Sequence, residues 1–475
     1  MVDAANLLTA RRGSIAAPAG CGKTHLIVEA IAHDEGEMPL LVLTHTNAGV
    51  AALRARLKKF GTPPSSYRLA TLDGWSLRML HAFPGRAGID NRHLDLNNPG
   101  EDYPAIRQGV LNLLGGGHLR DLIPSNYSRL IVDEYQDCQP DQHRMVTLLA
   151  EHLACVVLGD PLQAIFGFTR EGVVDWDADV TPTFPEIGTL DTPWRWILAQ
   201  NEDLGTWLLS VRQKLLAGEQ IDLSLAPDCV DWVRLTGEVS DHEVRLQAAN
   251  TQPPTRDGGS LIMAKWPKDQ ARYARLVPGA TKVENADLTD LVEFTQNFAP
   301  EGGGALRRLV EFAASVMTGV DRTTLRARLS SIQAGTNRNP PSDLEQSILD
   351  FAERPSYLGG ARILSEFTRQ GGTHVFRQEM LRTAIEALNA AQVSGGAALH
   401  ERFLELRDRS RARGRHIPKK AVGSTLLFKG LEAEVSIILE PETMNANDLY
   451  VALTRGSKRI VVCSKEPRLP NLNAT

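Results

Sequence analysis

The sequence predicts an α/β protein built on two parallel sheets, and three observations carry that prediction. The first is a glycine-containing loop, Ala17-Pro18-Ala19-Gly20-Cys21-Gly22-Lys23-Thr24, set between a short apolar segment at 14–16 and a stretch of helical spacing at 25–32. The second is an apolar run, Leu130-Ile131-Val132, that ends in Asp133-Glu134-Tyr135-Gln136-Asp137. The third is the alternation of buried-strand patterns with helical ones, which means parallel strands joined by right-handed crossovers.

The loop has the strand, turn and helix context of a phosphate-binding P-loop. Gly20 and Gly22 let backbone N–H groups close around phosphate oxygens, and the helix that follows points its positive end there. Ala17 stands where that motif has its first glycine. Ala19, Gly20, Cys21, Gly22, Lys23 and Thr24 are the expected phosphate cradle, with Lys23 on the β- and γ-phosphates and the Thr24 hydroxyl on Mg²⁺. The acidic run reads as a buried strand delivering carboxylates at its C-terminal edge, where open α/β sheets bind ligands. Asp133 then meets the metal, and Glu134 orients or deprotonates an attacking water.

In chain order, Pro39-Leu40-Leu41-Val42-Leu43-Thr44 has a buried-strand pattern and leads through His45-Thr46-Asn47 into a helix carrying Arg54 and Arg56. A polar turn at 61–66 breaks the pattern. Next, 68–80 reads as a strand passing into an amphipathic helix that holds Trp75. Residues 83–120, rich in Gly, Asn and Asp with one short helical segment, read as a small insertion. After the acidic strand and a helix at about 142–153 comes Ala154-Cys155-Val156-Val157-Leu158-Gly159-Asp160, another buried strand. The first domain, 1–82 with 121–188, is RecA-like in outline. Strand patterns at 231–235, 260–265, 435–440 and 459–463 build a second such domain, 189–288 with 421–475, around a helical insertion at 289–420.

Composition bounds the rest. A chain of 475 residues is too long for one core. With 42% hydrophobic and 23% charged residues it is an ordinary globular protein. Lys+Arg of 52 against Asp+Glu of 57 leaves a net charge of -5, which excludes a wholly basic nucleic-acid coat but permits a local basic channel. Cys21, Cys138, Cys155, Cys229 and Cys463 form no CxxC pair, which argues against zinc or a disulfide framework and for a reducing cytoplasm. No apolar stretch is long enough to span a bilayer and the N-terminus has no signal-peptide pattern, so the expectation is a cytoplasmic protein with no membrane partner.

The ordered motifs resemble the superfamily-one helicases of the UvrD/Rep/PcrA group. The P-loop is followed by Thr44-His45-Thr46-Asn47, Thr71-Leu72-Asp73-Gly74-Trp75, Asp133-Glu134-Tyr135-Gln136-Asp137 and Gly159-Asp160-Pro161-Leu162-Gln163-Ala164-Ile165-Phe166. Thr192-Pro193-Trp194-Arg195, Phe428-Lys429-Gly430-Leu431-Glu432 and Leu449-Tyr450-Val451-Ala452-Leu453-Thr454-Arg455 complete the order.

The resemblance implies an ATP- and Mg²⁺-dependent DNA helicase or translocase, moving three-prime to five-prime on single-stranded or partly duplex DNA and hydrolysing ATP between its two RecA-like domains. It implies that Gln163 senses the γ-phosphate and that Arg195 and Arg455 reach it from the second domain, stabilising spread charge as guanidinium groups do. His25 would lie at the nucleotide, Trp194 would stack on the adenine and Glu432 would hold the ribose. Strand contacts would fall on His45, Trp75, Phe166 and Phe168, although these rings also suit a core, Trp75 above all. The basic stretch from Arg402 to Lys420 reads as a solvated helix face or as a phosphate- or partner-binding surface. Compact UvrD-like proteins of the Gabija antiviral type, paired with an OLD-family nuclease, resemble the same layout and imply instead an ATPase subunit that regulates a partner nuclease. The chain departs from the family pattern in four places: no glutamine upstream of Lys23 to read the adenine, His25 for arginine, and Asp73 and Leu426 for histidines.

Overall fold

The computed structural model describes residues 2–96, 98–166, 172–285, 287–393, 399–413 and 417–470. The chain forms two compact units. One comprises Met1–Cys229, Met444–Lys458 and Arg468–Thr475, the other Val230–Thr443 and Arg459–Pro467. These units divide the chain elsewhere than the sequence reading does, because 189–229 and 444–458 fold with the P-loop.

The first unit is organised on strands β1 (Arg12–Ala16), β2 (Leu40–Thr44), β3 (Tyr67–Thr71), β4 (Arg129–Val132), β5 (Ala154–Gly159) and β6 (Glu186–Thr189), in the spatial order β3-β2-β4-β5-β1-β6. All five ladders are parallel. The central strands β2, β4 and β5 are almost wholly apolar because both faces are covered, and alternation divides their side chains between two cores. Leu41, Leu43, Leu130, Val132, Cys155 and Val157 enter one core, with the helices Leu72–Ala82, Pro99–Gly115 and Pro140–Leu149. Leu40, Val42, Ile131, Val156 and Leu158 enter the other, with the helices Lys23–His33 and Asn47–Phe60.

The described part of 83–120 adds no strand, as expected, but it is more than a small appendage. Its helix Pro99–Gly115 runs for 17 residues and buries Ile106, Val110, Leu113 and Leu114 in the first core. Their spacing of four, three and one is a helical stripe, which the Gly- and Asn-rich flanks obscure. Asp73, at the start of the helix Leu72–Ala82, accepts both arms of Arg107 on the longer helix, at 2.8 and 2.9 Å. Asp73, which stands where the resembled family has a histidine, thus fastens the insertion to the helix Leu72–Ala82.

A short antiparallel pair, β7 (Ile221–Asp222) with β14 (Arg468–Leu469), also belongs to the first unit. The second unit carries β8 (Val230–Arg234), β9 (Ser260–Met263), β10 (Thr281–Lys282), β11 (Lys420–Gly423), β12 (Ala433–Ile438) and the end of β13 (Gly456–Ser464), ordered β10-β11-β9-β12-β13-β8. The ladders β10–β11, β11–β9, β9–β12 and β13–β8 are parallel. The four strands expected from the sequence are all in this sheet; the short β10 and β11 join it without an apolar run to announce them.

Helices from Thr289–Asn297 to Leu399–Arg413 build a separate core around Leu309, Phe312, Ile348, Phe351, Leu364 and Leu388. They are tied to the sheet by Arg377, which donates to both oxygens of Glu284 at 2.6 and 2.8 Å and to Asp290 at 2.7 Å. Burial by itself would lower the Arg377 pKa, but the hydrogen bonds and charge of Glu284 and Asp290 override it and hold it above the usual value. Among the described residues no helix is long and apolar enough to cross a membrane.

Candidate active site

Strands β4, β5 and β1 are neighbours, so the acidic run, the Gly159-Asp160 corner and the P-loop leave the sheet at the same edge. The loop needs glycine at two positions. Gly20 and Gly22 have φ of 72 and 88°, in the left-handed region, and a Cβ on Gly20 would come within 2.6 Å of the Trp196 ring. Ala17 is not among the residues of positive φ, which is why alanine serves where the motif has glycine. Gly22 caps the helix Lys23–His33, so Lys23 and Thr24 occupy its first turn. His25 is exposed, its ring 6.2 Å from that of Phe60. Burial first, and then the Asp160 charge, push the Cys21 thiol up to about 12, so burial favours the neutral thiol.

The Lys23 ammonium lies 3.0 Å from Asp133 Oδ1 and 2.5 Å from Glu134 Oε1. Burial alone would lower its pKa; the charges of Asp133 and Glu134 outweigh that and raise it. Burial raises the Asp133 pKa, with Lys23 opposing. Glu134 has φ of 57°, a left-handed conformation that costs a non-glycine residue of order 1 kcal/mol and is typical of functional turns.

From Glu134 a line of hydrogen bonds runs across the sheet edge. Glu134 Oε2 accepts from Gln136 at 2.6 Å, and Gln136 Oε1 accepts from the Asp160 amide at 3.1 Å. Asp160, fully buried, accepts from Gln163 Nε2 and from Arg212 Nε, each at 3.1 Å. Lys23, Glu134 and Gln163 are therefore connected within one network. Gln136, Asp160 and Arg212 complete it without having been given roles from the sequence; the one signal was the Gly-Asp ending of a buried strand.

Trp194 and Arg195 are in the same compact unit as the P-loop, and so is Arg455. This corrects the expectation that both arginines reach in from the second domain. The Arg195 amide donates to Gly20 O at 3.0 Å, its guanidinium to Thr454 O at 2.6 Å, and the Trp196 indole to Gly456 O at 3.0 Å. Arg455 is buried, donating to Val451 O and to Thr454 Oγ1. The Trp194 ring is 50% exposed beside Gly22, a Cβ on which would lie 3.0 Å from its Cδ1. A half-open indole at the mouth of a phosphate loop is a surface on which a purine can stack. Glu432 is exposed, just before β12, in the other compact unit.

The proposed strand contacts separate. His45, after β2, and Phe166 lie parallel at 6.4 Å between ring centroids with 10° between planes, and both are half-buried. Trp75 is fully buried in the first core, so its ring cannot receive a base; the amphipathic helix that carries it turns it inward. Phe168 lies outside the described residues, as does Arg415 of the basic stretch. Within that stretch Arg402 pairs with Glu405 and Lys419 with Asp257.

For a metal, the Thr24 hydroxyl and the buried Asp133 carboxylate are hard oxygen donors of the type Mg²⁺ takes beside substrate phosphates. Among the described residues no cluster of three His, Cys, Asp or Glu could hold a metal by itself.

Residues 102–175 match the profile of the UvrD/REP helicase N-terminal domain. That segment contains the acidic strand and the Gln163 turn. No curated protein sequence matches the chain. Among solved structures, the chain is similar to the Pif1 helicase from Bacteroides, in a complex with ADP-AlF3 and single-stranded DNA, at 16% identity and a TM-score of 0.30. The alignment covers 57% of this chain and 54% of that one, so this chain spans about half the length of the structure it matches.

Proposed function

We propose that the protein is an ATP-hydrolysing DNA helicase or translocase of UvrD-like type, acting three-prime to five-prime on single-stranded or partly duplex DNA. One observation carries this reading: Lys23 of a P-loop, paired with the two strand-end carboxylates and linked through Glu134, Gln136 and Asp160 to Gln163. Phosphoryl transfer asks little of a protein beyond positioning and charge, and these groups supply both. Lys23 neutralises phosphate charge, the loop amides and helix start cradle it, and Glu134 holds the attacking water and its proton. Mg²⁺, held by Thr24 and Asp133, supplies charge neutralisation between phosphates when bound. The Glu134–Gln136–Asp160 line gives Gln163 a route to the catalytic carboxylate. The parallel rings of His45 and Phe166, just beyond Gln163, suit stacking with bases of a single strand, which carries little sequence information.

The test compares two variants of the full chain. Lys23→Ala removes phosphate charge and should weaken ATP binding while lowering hydrolysis about 10²–10³-fold, the scale of losing one preorganised charge or donor. Glu134→Gln should lower hydrolysis as much yet still bind ATP. Turnover by Glu134→Gln at the unmutated rate would remove Glu134 as the base. An active ATPase stimulated by no nucleic acid would exclude the motor and favour an ATPase that regulates a partner nuclease.

A further inference from the structure

A helix near the end of the chain touches two of the loops that the proposed reaction depends on. It runs from Ala446 to Leu453, and its N-cap Asn445 accepts from the Asp448 amide at 2.8 Å. Its far end is fastened by Thr454 Oγ1 on Tyr450 O at 2.9 Å and Arg455 Nε on Val451 O at 2.8 Å. Asn447 and Tyr450 are three apart, so they share a face, separated by about 4.5 Å of helical rise.

Each of the two reaches a different loop. The Asn447 side-chain amide donates to Pro161 O and to Ala164 O, both at 3.0 Å, and so holds both ends of the turn that presents Gln163. That turn has few bonds of its own, Gln163 N to Asp160 O at 2.8 Å and Ala164 N to Pro161 O at 3.2 Å. The Tyr450 hydroxyl, on a ring only 1% exposed, accepts from the Ala19 amide of the P-loop at 3.2 Å. Neither loop hydrogen-bonds to the helix by accident of a flexible surface chain, since Tyr450 is buried and Asn447 is doubly engaged.

We infer that Asn447 and Tyr450 are a pair of positioning residues that set the Gln163 turn against the phosphate loop, so that the chain tells a nucleoside triphosphate from a diphosphate. The inference rests on the proposed ATPase. Asn447 acts on the Gln163 turn, which by the family resemblance meets only the third phosphate, while Tyr450 acts on the loop that would grip any nucleotide. The two residues therefore have different signatures.

The experiment measures dissociation constants of the full chain for ADP and for a slowly hydrolysed ATP analogue. Tyr450→Phe, which removes only the hydroxyl, should weaken both nucleotides alike, by about three- to tenfold, as the Ala19 amide loses its partner. Asn447→Ala should lower the preference for the triphosphate about tenfold and leave ADP binding within about twofold. Its kcat should fall with little change in KM. Asn447→Asp, nearly isosteric but with an acceptor facing the two carbonyls, should lower the preference at least as far, and it decides the matter if Asn447→Ala does not fold. An unchanged preference in the Asn447 variants, or an equal loss for both nucleotides, would overturn the assignment, as would an unmutated protein that binds both nucleotides equally. An unmutated protein that binds neither would instead overturn the proposed function.

Discussion

Each compact unit contains a buried cation facing two carboxylates, and the two arrangements behave differently. In the second unit Arg377 meets Glu284 with two parallel hydrogen bonds and Asp290 with a third, all between 2.6 and 2.8 Å, and Lys282 adds a fourth contact to Glu284 at 3.2 Å. In the first unit Lys23 meets Asp133 and Glu134 as a point charge, and Glu134 keeps 32% of its side chain exposed. A guanidinium fork matched to carboxylates is a closed set: its donors are used and its geometry is fixed. An ammonium can pass from carboxylate to phosphate without breaking a matched geometry, and the proposed reaction has Lys23 do so beside the left-handed Gly20 and Gly22. Both clusters sit near the end of parallel strands, yet only in the first is the cation free of a matched geometry. Charge count alone does not separate a fastening from a reaction centre; the shape of the cation and the backbone around it do.

The largest effect expected from this contrast is on stability. Arg377→Ala takes the fork from buried Glu284, leaving it only Lys282, and releases the exposed Asp290; it should cost about 3–5 kcal/mol, read as a lower midpoint in urea unfolding. Lys23→Ala should cost distinctly less, because burial already favours the neutral form of Asp133, which can take up a proton when the ammonium is gone, and partly exposed Glu134 can be hydrated. Equal losses in the two variants would break the comparison.

A second measurement asks whether the first unit also uses a fork as a fastening. Asp73→His, which restores the residue type of the resembled family, removes the bidentate partner of Arg107 and should cost about 1–3 kcal/mol. Full stability in that variant would mean that the apolar stripe of the helix Pro99–Gly115 holds it in place unaided.

The smallest effect concerns the open side of the first cluster. Trp194→Ala should weaken nucleotide binding by about 1 kcal/mol, roughly fivefold, and equally for ATP and GTP, since stacking does not read a base edge. Competition binding of the two nucleotides checks this. A loss confined to ATP would show that a polar group near Trp194 reads the adenine, and would sharpen the account of how the chain manages without the upstream glutamine.

Much of this was legible before any coordinates. The apolar runs at 39–44, 130–132 and 154–158, bounded by turn residues, read as strands covered on both faces, and the Gly-Cys-Gly-Lys-Thr turn reads as the start of a helix with its amides free. These are local statements about period and backbone freedom, and a sequence contains them. Trp75 was ambiguous for the same reason: an aromatic ring in an amphipathic helix is core or contact according to which way the helix rolls, and the sheet beneath it decided for the core. What no local pattern contains is which distant groups become neighbours. Tyr450 meets Ala19 across 431 residues and Asn447 meets Pro161 across 286. The gathering of Arg195 and Arg455 into the P-loop unit, and the meeting of Asp73 with Arg107, were likewise settled by the order of strands and the packing of helices on them. Hydrogen-bond partners far apart in the chain are chosen by tertiary geometry, because any donor suits any acceptor until the fold puts one within 3 Å of the other.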